Sequence, residues 1–230
     1  MIGIMQPYFF PYIGYFQLIQ AVDSYVNLDH VAFMKRSYMT RNSLKNNIPI
    51  SIPVLRGSQN KSCEEVITLS DRKWFDKFYK TLEFNYKKEP HFNEVMEKVI
   101  EPWKKHILIE EEMFNNPVSI SFFNFTAILR ICEYLDIEAR FLPTSSGITN
   151  RKLNEGLQDI INHFGDNNYV NAIGGRDLYS KEDFESVGIK LNFIKMGNLD
   201  VNNPYVSILD LLFRYDKVHL KEQLNKFELI

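Results

Sequence analysis

The chain has 230 residues, of which 45% are hydrophobic and 24% charged, and its formal net charge is −2. That describes a globular chain long enough to bury a sizeable core in one large domain, and the balanced charge argues against a nucleic-acid or polyanion binder. Cys63 and Cys132 have no metal spacing, the longest apolar runs fall far short of a membrane span, and the N-terminus lacks the basic start and cleavage site of a signal peptide, so the expected setting is a reducing cytoplasm.

Residues 1–5, MIGIM, read as a short buried strand. Residues 12–22 read as a helix, with Ile13, Phe16, Leu18, Ile19 and Val22 toward one side. SYVNL at 24–28 returns as a second strand. Strand, tight loop, helix and strand in this order make a βαβ unit with parallel strands. Residues 31–46 are polar and basic without a clean period and read as a loop or short helix. ISIPV (50–54) and EVITL (64–68) read as strands joined by a turn or mobile loop.

SDRKW at 70–74 opens a helix with Ser70 as N-cap and Asp71 in the first turn. Helices follow to about residue 115, with breaks expected at Pro90, Pro102 and Pro117. Trp74, Phe75, Phe78, Tyr79, Leu82 and Phe84 must pack on something, so residues 70–117 read as a helical insertion or lid. Residues 119–135 form an apolar helix in which Cys132 is a small core hydrophobe. Then come a strand at 137–142, a helix at 150–165 ended by Gly165, a strand at 169–173 and a sharp GGRDLY turn. A short helix at 181–186, a strand at 189–196 and helices at 205–215 and 217–227 close the chain. Helix and strand alternate, so the expected fold is α/β: one domain over 1–230, with a mostly parallel sheet and helices on both faces.

Four stretches carry candidate chemistry. The first is QPYFFPYIGY, the loop after the first strand, where ligands bind in open α/β sheets. It has no GxGxxG fingerprint. Gln6 is a hydrogen-bonding candidate, and Tyr8 and Tyr12 are candidates to stack on a base or sugar; the plain alternative is a packed aromatic turn. The second is Asp29-His30, Lys35, Arg36, Tyr38, Arg41 and Asn42 after the second strand. His30 titrates near neutrality and, with Asp29, is the candidate catalytic base. As neighbours on a strand the two are expected to point apart. Lys35 and Arg41 are candidate anchors for a diphosphate, and Asn42 for the sugar or a carbonyl; the alternative is a solvated basic loop.

The third stretch, Pro143-Thr144-Ser145-Ser146-Gly147 before Asn150-Arg151, offers an anion cradle at a helix start or simple capping. Ser145 and Ser146 lack a GxSxG context, which excludes a serine hydrolase of that type. The fourth is Asn171, Gly174, Gly175 and Arg176, where paired glycines allow close backbone approach or positive φ, and equally a tight turn. His91, His106, His163 and His219 are scattered without ligand spacing, so no metal is expected. Glu110–Glu112 reads as a solvated helix face.

The opening loop also resembles the nucleotidyltransferase-like α/β domains, in which an H-x-G-H opens the first helix. Here Tyr12-Ile13-Gly14-Tyr15 stands in that place, with Asp23 ending the helix. The resemblance implies a Rossmann-like sheet and nucleotide binding; the missing histidines argue against adenylyl transfer. MQPYFFPYIGYFQLI, LDHVAFMKRSYMTRN, ISIPV, NAIGGRDLY and SILDLLF together resemble the WbqC-like proteins, nearly end to end. That resemblance implies work on bacterial O-antigen or other surface-glycan (lipopolysaccharide) precursors. The implied activity is a transferase attaching an acyl or aminoacyl group to the amine of a nucleotide-linked amino-deoxy sugar. No permanently bound cofactor is expected; a carrier-protein or coenzyme A thioester would serve as donor. An acyl carrier protein and a second copy of the chain are further partners this reading admits. The alternatives are a non-catalytic binder of a sugar nucleotide or carrier protein, and a diverged nucleotidyltransferase.

Overall fold

The computed structural model describes residues 1–149 and 153–230. The chain opens as the sequence predicts. β1 (Ile2–Met5) leads through the aromatic loop into α1 (Ile13–Gln20), and β2 (Ser24–Asn27) returns parallel to β1, Ile2 opposite Ser24 and Met5 opposite Asn27. The alternation of side chains in β1 explains its depth in the molecule. Ile2 and Ile4 point to one face of the sheet and into one core. Gly3 points to the other, where a Cβ would come within 2.6 Å of Leu18 Cδ2 on α1. The glycine is what lets α1 lie this close to the strand.

The segment that reads as a loop or short helix contains a small hairpin instead. β3 (Arg41–Ser43) pairs antiparallel with β4 (Pro49–Ser51), turning through Asn46 and Asn47, both at positive φ. Asparagine tolerates that conformation, which is how the chain reverses here without a glycine. The expected strands at 50–54 and 64–68 are shorter: Ile52-Pro53 separates β4 from β5 (Val54–Leu55), which pairs with β6 (Ile67–Thr68).

α2 (Arg72–Tyr86) is capped by Asp71, whose carboxylate accepts from Trp74 N at 2.8 Å. Ser70, the expected cap, is buried and donates to Glu111 instead. α3 (Phe92–Val95) runs through one π-helical turn, 96–100, into α4 (Glu101–Phe114). Pro102 does not break this run: it falls at the second residue of α4, directly after the π-helical turn, whose wider ladder accommodates a residue without an N–H. α5 (Ile120–Tyr134) starts at its Ser119 cap.

The sheet then grows in both directions. β7 (Arg140–Leu142) adds outside β2. After α6 (Leu153–His163) comes β8 (Asn168–Ala172), which pairs with β1 on its other side. The expected opening of α6 at Asn150-Arg151 lies outside the described residues. Gly165 follows α6 at φ +71, the left-handed exit the sequence predicts. α7 (Lys181–Glu185) and β9 (Lys190–Met196) follow, then α8 (Ile208–Arg214) and α9 (Lys217–Leu224).

The last helix stops short of the expected residue 227. It ends at Leu224, and Phe227–Leu229 forms β10, antiparallel to β9. The alternation Phe-Glu-Leu is a strand pattern too short to stand out beside a helix. Among the described residues the main sheet has six strands in the order β10-β9-β8-β1-β2-β7, all parallel but β10.

Apolar residues collect on both faces of the sheet. One core holds Leu157, Ile160 and Ile161 of α6 and Phe184 of α7 against Ile2, Ile4 and Leu191. The larger joins α1 and the helices of 72–134, with Trp103, Phe75 and Phe123 at its centre. The helices of 70–117 therefore share a core with the aromatic loop. Phe9 stacks on Phe123 at 6.2 Å, and Phe10 stacks on Phe78 at 5.6 Å and meets Trp103 edge-on at 5.0 Å. Both phenylalanines are fully buried, each contributing about 1.5–3 kcal/mol by its transfer from water.

Candidate functional site

Strand order changes direction at β1. The chain builds β2 and β7 on one side of it, then β8 and β9 on the other. At such a switch point the loops leaving two neighbouring strands turn opposite ways and open a crevice at the carboxyl ends. The crevice here is a cavity of about 510 Å³, within the range of small-molecule sites.

Three distant segments build it. The loop after β1 contributes Gln6, Tyr8, Pro11 and Tyr12; the stretch from β2 to β3 contributes Leu28, Tyr38 and Asn42; the turn after β8 contributes Asn171, Gly174, Gly175 and Tyr179. Tyr205, from the segment before α8, closes one side, its ring 6.3 Å from that of Tyr12. Tyr8 lies between Tyr15 and Tyr38, each 5.7 Å away. Among the described residues no lysine, arginine, histidine, aspartate or glutamate lines the cavity. Burial raises the phenol pKa values of Tyr8 and Tyr12 above their ordinary range, so both remain neutral donors around pH 7.

The loop is held in shape by amides. Asn42 Nδ2 donates to Phe10 O at 2.7 Å and Phe9 O at 3.3 Å, while its Oδ1 accepts from Ser43 N at 2.8 Å. Asn124 Nδ2 donates to Pro7 O and Met39 O at 3.0 and 2.8 Å. Phe9 N donates to Tyr38 O at 2.8 Å, and Ile208 N to Pro11 O at 2.9 Å. These clamps fix Phe10 at φ +42, a left-handed backbone that a bulky aromatic rarely adopts. Tyr15 is also structural: it is fully buried, donates to Gln6 O at 2.7 Å and meets Tyr25 OH at 2.5 Å. Of the two tyrosines in the Tyr-Ile-Gly-Tyr segment, Tyr12 alone reaches the cavity.

Gly174 and Gly175 lie in a single 3-10 turn, neither at positive φ. Gly175 is closely packed: a Cβ there would lie 3.0 Å from Asn171 Nδ2. Asn171 is buried, and its Oδ1 accepts from Ala172 N at 2.7 Å.

The structure thus brings Gln6, Tyr8, Tyr12, Asn42, Asn171, Gly174 and Gly175 together. Lys35, Arg41 and Arg176 are exposed and lie outside the cavity lining, as do Asp29, His30, Ser145 and Ser146. Ser146 N donates to Thr144 Oγ1 at 2.9 Å. Asp29 and His30 follow β2 rather than continue it, and both turn to Ser145. Ser145 N and Oγ each lie 3.0 Å from Asp29 Oδ1, and Ser145 Oγ is 2.7 Å from His30 Nδ1. With the hydroxyl donating to the carboxylate, its oxygen accepts His30 Nδ1–H, and Nε2 keeps its lone pair. Burial lowers the His30 pKa, against the opposing pull of Asp29 and Glu64, and favours that neutral ring. The serine stands between acid and histidine, and it is fully buried. A hydrolytic triad requires the histidine in the middle.

Sequence reasoning missed Tyr205, Tyr169 and Leu157 in the lining. Tertiary docking brings in Tyr205 and Leu157, whereas Tyr169 shares a face of β8 with Asn171, two residues on, which is the signal that points to it. Among the described residues no group of three or more His, Cys, Asp or Glu is placed to hold a metal ion, and no helix is long and apolar enough to cross a membrane.

The sequence model of the WbqC-like protein family matches residues 6–222, from the first loop residue of the cavity to the last helix. The chain belongs to the WbqC-like protein family. Over 223 residues it is 27% identical to the uncharacterized protein Rv1507c of Mycobacterium tuberculosis (strain ATCC 25618 / H37Rv), covering 92% of each chain. No solved structure matches it. In this WbqC-like chain the matched region takes in all the loops that wall the cavity.

Proposed function

We propose that this WbqC-like protein acts on a nucleotide-linked amino-deoxy sugar, as a transferase that places an acyl or aminoacyl group on the sugar amine during surface-glycan biosynthesis. The observation that carries the reading is the uncharged, tyrosine- and amide-lined cavity at the carboxyl ends of β1 and β8. Tyrosine faces suit a sugar ring or a nucleobase, and amides suit their hydroxyls and carbonyls. The strand order is that of doubly wound nucleotide-binding sheets, which supports a Rossmann-like relationship and a nucleotide ligand. Among the described residues a diphosphate has no cation inside the cavity. Under this reading it lies outside the lining, with Lys35, Arg41 and Arg176 as its proposed anchors, the two arginines next in sequence to lining residues Asn42 and Gly175, and the neutral parts of the ligand go in.

His30 is the proposed base, two residues from Leu28 in the cavity wall, with Nε2 left free by the Ser145 contact. Gln6 and Asn171 would hold the sugar. The acyl donor would be a coenzyme A or carrier-protein thioester, and the compartment the cytoplasm. A second reading has one observation in its favour: among the described residues no acid or base lines the cavity, which suits a protein that binds a sugar nucleotide, or a carrier-bound one, without catalysis.

Thermal shift against a panel of UDP- and dTDP-linked amino sugars tests ligand binding. Ligand at 100-fold its Kd stabilises by about 2.7 kcal/mol, or about 5–10 °C in Tm for a chain of this size. No shift with any nucleotide sugar would refute both readings. Binding without a mass increase of the sugar when thioester donors are added would leave the non-catalytic one.

A further inference from the structure

The cavity draws its walls from both cores. Tyr8 and Tyr12 pack against the larger core, whereas Ile4, Leu157 and Tyr169 belong to the smaller one, with Leu28 packed against it. The second side is thus aliphatic apart from its phenols. Tyr169 is 1% exposed, and what it exposes lines the cavity. Burial pushes its pKa well above the ordinary value, so the O–H stays intact. The hydroxyl is not among the fully buried unpaired atoms of the described residues, so it meets the cavity, where it can donate to a ligand acceptor.

We propose that this side of the cavity is an acyl pocket. Ile4, Leu28 and Leu157 take the aliphatic part of an N-acyl group on the sugar, and Tyr169 donates a hydrogen bond to the amide carbonyl. The charge pattern favours the amide over the free amine. An ammonium brought into these walls loses water and meets no carboxylate among the described residues, whereas an amide is neutral and finds both apolar surface and a donor. The inference rests on the nucleotide-sugar reading and adds which end of the ligand lies deepest.

Titration calorimetry of the full chain with UDP-N-acetylglucosamine and UDP-glucosamine tests it. The acetamido sugar is expected to bind about 10-fold tighter at pH 7. Tyr169→Phe should weaken it about 5-fold and change UDP-glucosamine binding less than about 2-fold. Circular dichroism of the variant establishes that it is folded. Equal affinity for the two sugars overturns the acyl pocket and leaves nucleotide-sugar binding intact. A preference that survives Tyr169→Phe overturns the placement of the acyl group beside Tyr169. Failure of both sugars to bind, with the wider panel also silent, overturns the proposed function and this inference with it.

Discussion

Asn42 is a candidate ligand residue by sequence, and its geometry makes it a structural one first. Its Nδ2 is occupied by the Phe10 and Phe9 carbonyls and its Oδ1 by Ser43 N, and the side chain is buried. Asn42→Ala removes two good bonds, at 2.7 and 2.8 Å, and one longer shared contact at 3.3 Å. Each normal bond is worth about 1 kcal/mol net, and a buried carbonyl left without a donor costs about 1–3 kcal/mol. Water entering from the cavity would meet part of that need, and some release of the left-handed Phe10 backbone would offset more. The expected loss is about 2–3 kcal/mol, or about 4–12 °C in Tm. Urea unfolding followed by tryptophan fluorescence reads it directly, because Trp74 and Trp103 both lie in the core that receives Phe9 and Phe10. A loss below about 0.5 kcal/mol would mean that the loop keeps its shape without the amide, and the argument for a clamped site would fail.

Two further predictions bear on the frame of the site. His30 has a folded pKa below its unfolded value, chiefly from burial. The unfolded chain therefore binds the extra proton first, so this contribution is complete above the ordinary histidine pKa of about 6.5 and is lost as pH falls through it toward the folded value. Unfolding free energies at pH 7.5 and 5.5 should differ by less in His30→Gln than in the wild type, and an unchanged difference would disprove the burial argument. Gly3→Ala should destabilise by about 1–3 kcal/mol, since its Cβ would overlap Leu18 and press α1 off β1; a neutral result in chemical denaturation would show that the helix shifts freely.

The parts of the fold legible in the sequence are those that local pattern governs. Ile2-Gly3-Ile4 and the apolar side of residues 13–20 set the βαβ unit, and a βα loop at the carboxyl end of a parallel sheet has one place to be. That is why Gln6, Tyr8, Tyr12, Asn171, Gly174 and Gly175 can be picked out as cavity residues from their place in the chain alone. The Asp29–Ser145–His30 contact stays hidden because it spans 116 positions and exists only because β7 lies beside β2. Tyr205 stays hidden for the same reason: Ser207 N bonds Ser43 O and Ile208 N bonds Pro11 O, two long-range contacts that dock its segment at the mouth. Lys35, Arg41 and Arg176 look like pocket residues because basic side chains suggest phosphate. Their residue type alone does not tell that they lie outside the cavity lining, Arg41 between buried Thr40 and Asn42 and Arg176 after buried Gly175.

The aromatic loop is at once packed in the core and part of the cavity wall, and the combination has a consequence for ligand choice. Phe9 and Phe10 anchor it in the larger core, while Tyr8 just before that pair and Tyr12 just after Pro11 face the cavity. Core and site therefore share one rigid piece of backbone, held by Asn42, Asn124 and Tyr38 O. A wall fixed in this way cannot swing a charge in to meet a ligand, and rearranging it would break buried hydrogen bonds worth several kcal/mol together. Selection must then come from the preformed shape and from neutral donors, which favours ligands whose inserted part is uncharged.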